Sequence, residues 1–347
     1  MTIRIAFFGA GELAQPYISA LGKRSDVELV GVCDADRRAA EQVGAGWNAQ
    51  VFSHYDEMMT TASPDALWIC VPTRMQTDVI LQAAERAIPF FVEPPGAVDF
   101  SHARTYSRSV ERNHIPTVVG FFGRFSDVVS EAREYLGTNP IPMSLGWWLC
   151  PPNEDMPSPT ASGVLWHDGC RLVDGMRSFC GNVTRVRALS AGAGGESGGL
   201  VVQFEFDSGT VGMLTCASFA RPAPRIELEM LGEGWSLNLG KDLTQLQLDE
   251  HDKSTILRCL NDPRADLVDA FLSAVVSREP SSVAPSYPDT LNTLAACEAA
   301  RVSVKEGRTV PVDEVLAGMT TGTFTDESKP ESGEEFEPGT QQREKTS

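Results

Sequence analysis

Two groups of residues in this 347-residue chain have the types and spacing to do chemistry. The first is Gly9-Ala10-Gly11-Glu12-Leu13-Ala14, entered from the apolar run Ile3-Arg4-Ile5-Ala6-Phe7-Phe8; a second apolar run, Val27–Cys33, then ends at Asp34. Glycine at 9 permits a tight turn after a strand, glycine at 11 lets a pyrophosphate approach the backbone, and Ala14 keeps the next helix close to the sheet. The unpaired N–H groups opening that helix would face the phosphates. Asp34 falls about 20 residues beyond the glycines, where a carboxylate accepts hydrogen bonds from a ribose 2′-hydroxyl and repels a 2′-phosphate. This favours NAD, although Arg37 and Arg38 follow closely enough to grip a 2′-phosphate and leave NADP open. Each feature alone also suits an ordinary strand-to-helix turn with a surface aspartate. The order strand, turn, helix, strand, acid points to a nucleotide. Pro16 costs little in the first helical turn.

The second group is His167, Arg171 and Asp174. If residues 166–179 are helical, these three fall at i, i+4 and i+7 on one stripe, with Leu172, Val173, Met176 and Phe179 opposite. An imidazole near neutral pKa suits general acid or base work, a guanidinium suits bidentate grip on a carboxylate or phosphate, and the carboxylate could orient either. Such a stripe is more often a solvated face with an ion pair. Arg124, after the apolar run 117–121, divides in the same way between substrate contact and a structural pair. Trp147, Trp148 and Trp166 are expected as core or interface aromatics, although beside a cleft they would suit a sugar or aromatic ligand. Cys170 with His167 is an incomplete metal set, so no metal is expected.

These residues need elements to hold them. Helical and strand-like segments alternate from residue 37 to 121: helix 37–43, a strand near Val51, the apolar run 66–71 ended by Pro72, helix 78–87, strand 89–92, helix 101–112 and strand 117–121. Several strands are apolar on consecutive positions, as in a parallel sheet covered on both faces. Beyond residue 122 the pattern changes to period-two strands at 201–206, 210–219 and 226–230, joined by turns at Asp207-Ser208-Gly209 and Gly232-Glu233-Gly234. This describes a mainly antiparallel sheet with one free face. A flexible connection is expected at 191–199, and helices at 267–276 and 291–304 could pack on either domain. The expected domains are 1–122, 123–319 and a disordered acidic tail at 320–347.

The net charge of −18 opposes nucleic acid and anionic membrane as partners. No apolar stretch reaches membrane-span length and no signal-peptide pattern opens the chain, so a cytoplasmic protein is expected. The eight cysteines form no C-x-x-C pair and read as reduced, mostly buried thiols.

In its order of motifs the chain resembles the glucose-fructose oxidoreductase and inositol dehydrogenase family, Gfo/Idh/MocA. The resemblance rests on the N-terminal glycines, Cys70-Val71-Pro72-Thr73, Val118-Val119-Gly120-Phe121 leading to Arg124-Phe125, and the closing segment from Cys297 to Arg308. It implies an α/β Rossmann domain, a C-terminal α+β domain with an open sheet used for oligomerisation, and NAD(P)-linked redox work on sugar-like metabolites. By this resemblance the cofactor would meet Gly9, Gly11, Glu12, Leu13, Asp34, Arg38, Val71, Pro72, Thr73, Gln76, Glu93 and Pro94, and the substrate Arg124, Trp166 and Asp168. A homodimer or homotetramer is expected.

The chain departs from the family at the chemistry. Where Glu-Lys-Pro is usual, it has Glu93-Pro94-Pro95, so the lysine is deleted or replaced by Pro94. Where Asp-x-Gly-x-His-x-x-Asp is usual, it has His167-Asp168-Gly169-Cys170-Arg171-Leu172-Val173-Asp174, with Arg171 in the histidine's place. Gln76 also stands where a histidine often occurs. The leading expectation is hydride exchange with His167 moving the proton, Arg171 positioning an oxyanion and Asp174 orienting them. The alternatives are NAD chemistry without net redox change (elimination, epimerisation or glycoside cleavage) and a non-catalytic dinucleotide-binding protein.

Overall fold

The computed structural model describes residues 2–137, 139–151, 161–191, 198–219, 223–240 and 243–319. The expected acidic tail and most of the 191–199 connection lie outside them. The first sheet holds six parallel strands, β1 (Ile3–Phe8), β2 (Val27–Cys33), β3 (Gln50–Phe52), β4 (Ala66–Ile69), β5 (Phe90–Val92) and β6 (Thr117–Val119), in the order β3-β2-β1-β4-β5-β6. This doubly wound order has its reversal beside β1, where such sheets take their ligands at the strands' carboxyl ends.

Strand alternation divides the apolar residues between two layers. Ile3, Ile5, Phe7, Trp68 and Phe91 face one side, while Ala6, Phe8, Leu67, Ile69 and Val92 face the other. The first side is covered by α1 (Gln15–Leu21), α2 (Arg37–Trp47) and α9 (Pro263–Ser277). The second is covered by α3 (Tyr55–Thr61), α4 (Thr73–Glu85) and α5 (Phe100–Asn113). Helix α4 starts directly after Pro72, earlier than its apolar pattern suggests, because the fixed φ of proline closes the strand and opens the helix. Helix α9 returns from late in the chain: Phe271 packs edge-on against Trp68, with ring centroids 5.1 Å apart.

After α6 (Asp127–Leu136) comes a nine-stranded sheet, with the order β14-β13-β12-β11-β7-β10-β9-β8-β15. Its strands are β7 (Met143–Leu149), β8 (Val183–Ser190), β9 (Gly199–Phe206), β10 (Val211–Ala217), β11 (Arg225–Gly232), β12 (Trp235–Gly240), β13 (Gln245–Glu250), β14 (Lys253–Arg258) and β15 (Val310–Pro311), antiparallel throughout except β7 with β10. The short α7 (Ala161–Val164), α8 (Cys170–Cys180) and α10 (Tyr287–Glu306) cover one face, and α11 (Val312–Leu316) closes the described chain. On the other face Met143, Val201, Val211 and Met213 are exposed. Helix α10 also joins the domains: its Tyr287 N–H donates to Thr117 Oγ1 (3.0 Å) and its hydroxyl to the Gly96 carbonyl (2.8 Å). Among the described residues no helix is long and apolar enough to cross a membrane.

Candidate active site

The glycine turn is built by its neighbours. Gly9 has φ +101°, and a Cβ there would lie 2.2 Å from the Cys70 carbonyl oxygen, so adjacent β4 dictates the glycine. Gly11 differs: a Cβ there would meet nothing within 4 Å. The turn's open side is therefore free for a ligand. Asp34 anchors the turn, its Oδ2 accepting from Ala10 N–H (2.6 Å) and its Oδ1 from Asp36 N–H (2.8 Å). Each oxygen keeps a lone pair for a ribose hydroxyl. The expected helix opening at the glycines is a turn instead, because α1 begins only at Gln15 and runs seven residues, with Pro16 in its first turn. Arg38 is exposed in the first turn of α2.

Two further strand ends converge beside this turn. After β4, Val71 is buried, Pro72 precedes α4 and Thr73 opens it. Gln76, 1% exposed, donates from Nε2 to the carbonyls of Val71 (3.0 Å) and Glu93 (3.3 Å) and ties the ends of β4 and β5 together. Its Oε1 is buried without a partner among the described residues. The Glu93 carboxylate is buried beside the Tyr17 hydroxyl. Desolvation raises its pKa above the usual glutamate value, opposed by the Arg171 charge, the Tyr17 hydroxyl and the Arg264 charge. Pro94 follows directly, against the wall formed by Gly120, and supplies no ammonium.

The second domain contributes α8 and the segment before it. A π-helical turn, Leu165–Gly169, precedes α8. Its wider turn takes an extra residue, which rotates everything before Cys170 off the stripe of a continuous α-helix. Arg171 and Asp174 consequently line the interdomain cleft, whereas His167 is outside the lining and half-buried. Burial and then the Arg171 charge push the His167 pKa down. Arg171 Nη1 donates to the His167 carbonyl (2.8 Å) and lies 3.7 Å from Asp168, whose pKa burial raises. Trp166 is buried and its Nε1 donates to the Ala97 carbonyl (2.9 Å), so it locks the π turn onto the loop after β5.

Asp174, 1% exposed, is held by Arg124 through Nε to Oδ2 (2.7 Å) and Nη2 to Oδ1 (2.6 Å). Arg124 also reaches Asp289 (3.3 Å), which pairs with Arg177 (3.3 Å). Sequence pattern suggested that Asp174 orients His167 or Arg171; its partner in the structure is Arg124.

These groups surround a cleft of about 320 Å³. Glu12, Leu13, Tyr17 and Glu93 line it from the first domain, and Trp148, Arg171, Leu172, Asp174 and Phe179 from the second. Arg264 of α9 reaches its rim, with its guanidinium 3.8 Å from the Phe122 ring centroid. Tyr17 and Arg264 were not apparent in the sequence. The Asp262-Pro263 helix start does signal where α9 begins, but nothing local shows where it packs.

A parallel doubly wound sheet with its glycine turn, joined across a cleft to an open antiparallel sheet, defines a two-domain protein of dinucleotide-binding class. Residues 3–121 match the family described as oxidoreductase, NAD-binding Rossmann fold. The chain is thus similar in its N-terminal domain to the NAD-binding domain of the Gfo/Idh/MocA oxidoreductases. It is 31% identical over 125 residues to inositol 2-dehydrogenase of Rhizobium meliloti (strain 1021), covering 36% of this chain and 38% of that protein. It is 26% identical over 184 residues to the rhizopine catabolism protein MocA of Rhizobium meliloti, covering 51% and 57%. The matches thus span about two fifths to three fifths of these relatives' lengths. The fold extends further: levoglucosan dehydrogenase in complex with NADH superimposes with TM-score 0.80 at 15% identity, covering 90% of this chain and 99% of that one.

Proposed function

We propose that the chain is an NAD-dependent oxidoreductase that exchanges hydride with a small substrate held between its two domains. The observation that carries this reading is the cleft itself, in which the glycine turn's Glu12 and Leu13, the buried Glu93 and the cationic Arg171 share one space outside the strand ends. The open face of Gly11 fits a dinucleotide backbone, and Asp34 favours NAD over NADP. The names of the relatives, inositol and levoglucosan dehydrogenases, support the same chemistry. NAD, when bound, supplies or takes the hydride.

The chain's own residues do the rest. Glu93, fixed at its carbonyl by Gln76 and with its carboxyl beside Tyr17, moves the proton at the substrate oxygen. Arg171 positions the substrate through an anionic group, and Asp168 steadies Arg171. Arg124 and Asp174 hold the cleft wall, while Trp166 holds the segment carrying Arg171. The exposed apolar residues on the outer sheet face support self-association as a homodimer or homotetramer.

The test is NADH titration by fluorescence, followed by turnover assays with Glu93→Gln and His167→Gln. Glu93→Gln is expected to lower kcat about 100-fold and remove one limb of the pH profile. His167→Gln is expected to preserve both. The reverse result moves proton transfer to His167, and NADH binding without turnover of any substrate favours a non-catalytic dinucleotide-binding protein.

A further inference from the structure

The cleft's walls point to a substrate of different chemistry from the polyols named for the relatives. Trp148, Leu172, Phe179, Ile226 and Leu243 give its second-domain side a hydrocarbon surface. The polar side chains among them are already engaged: Arg124 and Asp174 with each other, and Ser178 Oγ with the Gly175 carbonyl (2.7 Å). A polyol's hydroxyls would lie against mostly apolar side chains on this wall, and each one left without a partner would lose about tenfold or more in affinity. Arg171 is different. Its Nη1 serves the His167 carbonyl, its carboxylate neighbour Asp168 is 3.7 Å away, and among the described residues neither Nε nor Nη2 has a hydrogen-bond partner. That edge of the guanidinium presents two parallel donors, the geometry that grips a carboxylate.

From this juxtaposition we infer that the substrate is a monocarboxylate with an aryl or branched alkyl body, a 2-oxo acid in the reducing direction and the 2-hydroxy acid in the other, its carboxylate on Arg171 and its body against Trp148, Leu172 and Phe179. The inference rests on the hydride-transfer reading above. In the reducing direction, hydride from NADH forms the new C–H bond at the oxo carbon. The C=O π pair moves to oxygen and takes the Glu93 proton, which solvent replaces. The oxo acid is reduced by two electrons and NADH is oxidised.

The test uses the full chain loaded with NADH, with phenylpyruvate, phenylpyruvamide and pyruvate as probes, and NAD with myo-inositol. Phenylpyruvate is expected to quench tryptophan fluorescence and to be reduced with kcat/KM about 100-fold above pyruvate, from burial of its ring. Arg171→Met is expected to lower phenylpyruvate affinity at least tenfold, to lower affinity for the uncharged amide by a clearly smaller factor, and to leave NADH binding unchanged. Inositol turnover with the acids inert would overturn the substrate assignment and leave the hydride reading standing. Equal loss of acid and amide binding in Arg171→Met would overturn the role of its charge. Failure of NADH to bind would instead overturn the reading on which the inference rests.

Discussion

The two glycines of one turn should respond in opposite ways to the same methyl group. At Gly9 the added Cβ would sit 2.2 Å from the Cys70 oxygen, 2.6 Å from its carbon and 2.9 Å from Val71 Cγ1. Neither backbone can retreat cheaply, because Gly9 N–H donates to the Cys33 carbonyl and Cys70 N–H to the Phe8 carbonyl, both at 2.8 Å. The φ of +101° adds strain of about 1–3 kcal/mol for a residue with a Cβ, and the clash about as much again. Gly9→Ala should therefore cost about 3 kcal/mol or more. Gly11→Ala should leave stability unchanged or raised by under about 1 kcal/mol, since nothing meets its methyl and the unfolded chain loses entropy. The methyl would stand where the diphosphate rests, and overpacking there of about 1–3 kcal/mol lowers NADH affinity about 5- to 150-fold. Urea denaturation and NADH titration of both variants make the check. Parental NADH affinity in a folded Gly11→Ala protein would refute the placement of the diphosphate, and parental stability in Gly9→Ala would refute the packing argument.

Glu93 binds its proton more tightly folded than unfolded, so its contribution to stability is full below the ordinary value of 4.5 and is lost as pH rises through the raised folded value. Glu93→Gln should abolish that fall in urea midpoints measured across the range, and identical pH slopes for the two proteins would refute it. Asp174→Asn and Arg124→Met should each cost about 3 kcal/mol by leaving a buried partner unpaired, whereas Arg124→Met with Asp174→Leu should cost clearly less than the sum. Additive losses in denaturation would show the two side chains to be uncoupled. Phenylpyruvate binding should take up protons in weak buffer, because its carboxylate offsets the Arg171 charge that favours ionised Glu93. An indicator dye that registers no uptake would separate the anion site from Glu93.

How much of this was legible depends on how local the cause is. β1, the glycine turn, β2 and Asp34 could be read from 34 residues because an apolar run, a glycine pair and an acid are neighbours in sequence. The period-two strands from β9 to β11 were legible for the same reason. The π turn before α8 was not. Its Gly169 does not by itself mark a π turn, yet the wider turn leaves His167 outside the cleft lining that Arg171 and Asp174 share. Tyr17 and Arg264 were equally hidden, since one depends on α1 turning beneath β5 and the other on α9 returning to the first sheet.

The charges around Glu93 make physical sense together. Pro94 and Pro95 beside it supply no ammonium to hold this carboxyl ionised, and the surroundings then decide its state. Burial favours the neutral acid, while Arg171 and Arg264 oppose it from α8 and α9. The separation of those guanidiniums from Glu93 is set by packed elements: α9 is fixed through Phe271 against Trp68, and α8 through Asp174 to Arg124 and Trp166 to Ala97. A carboxyl tuned by charges on packed helices responds to the charge of an entering ligand rather than to movement of the helices. Arg171 cannot give up a proton itself, but a guanidinium there can orient an acid substrate and bias the Glu93 carboxyl. On the proposed mechanism proton transfer and substrate selection fall on different side chains, Glu93 from the nucleotide domain and Arg171 from the sheet domain, which share the lining of one cleft.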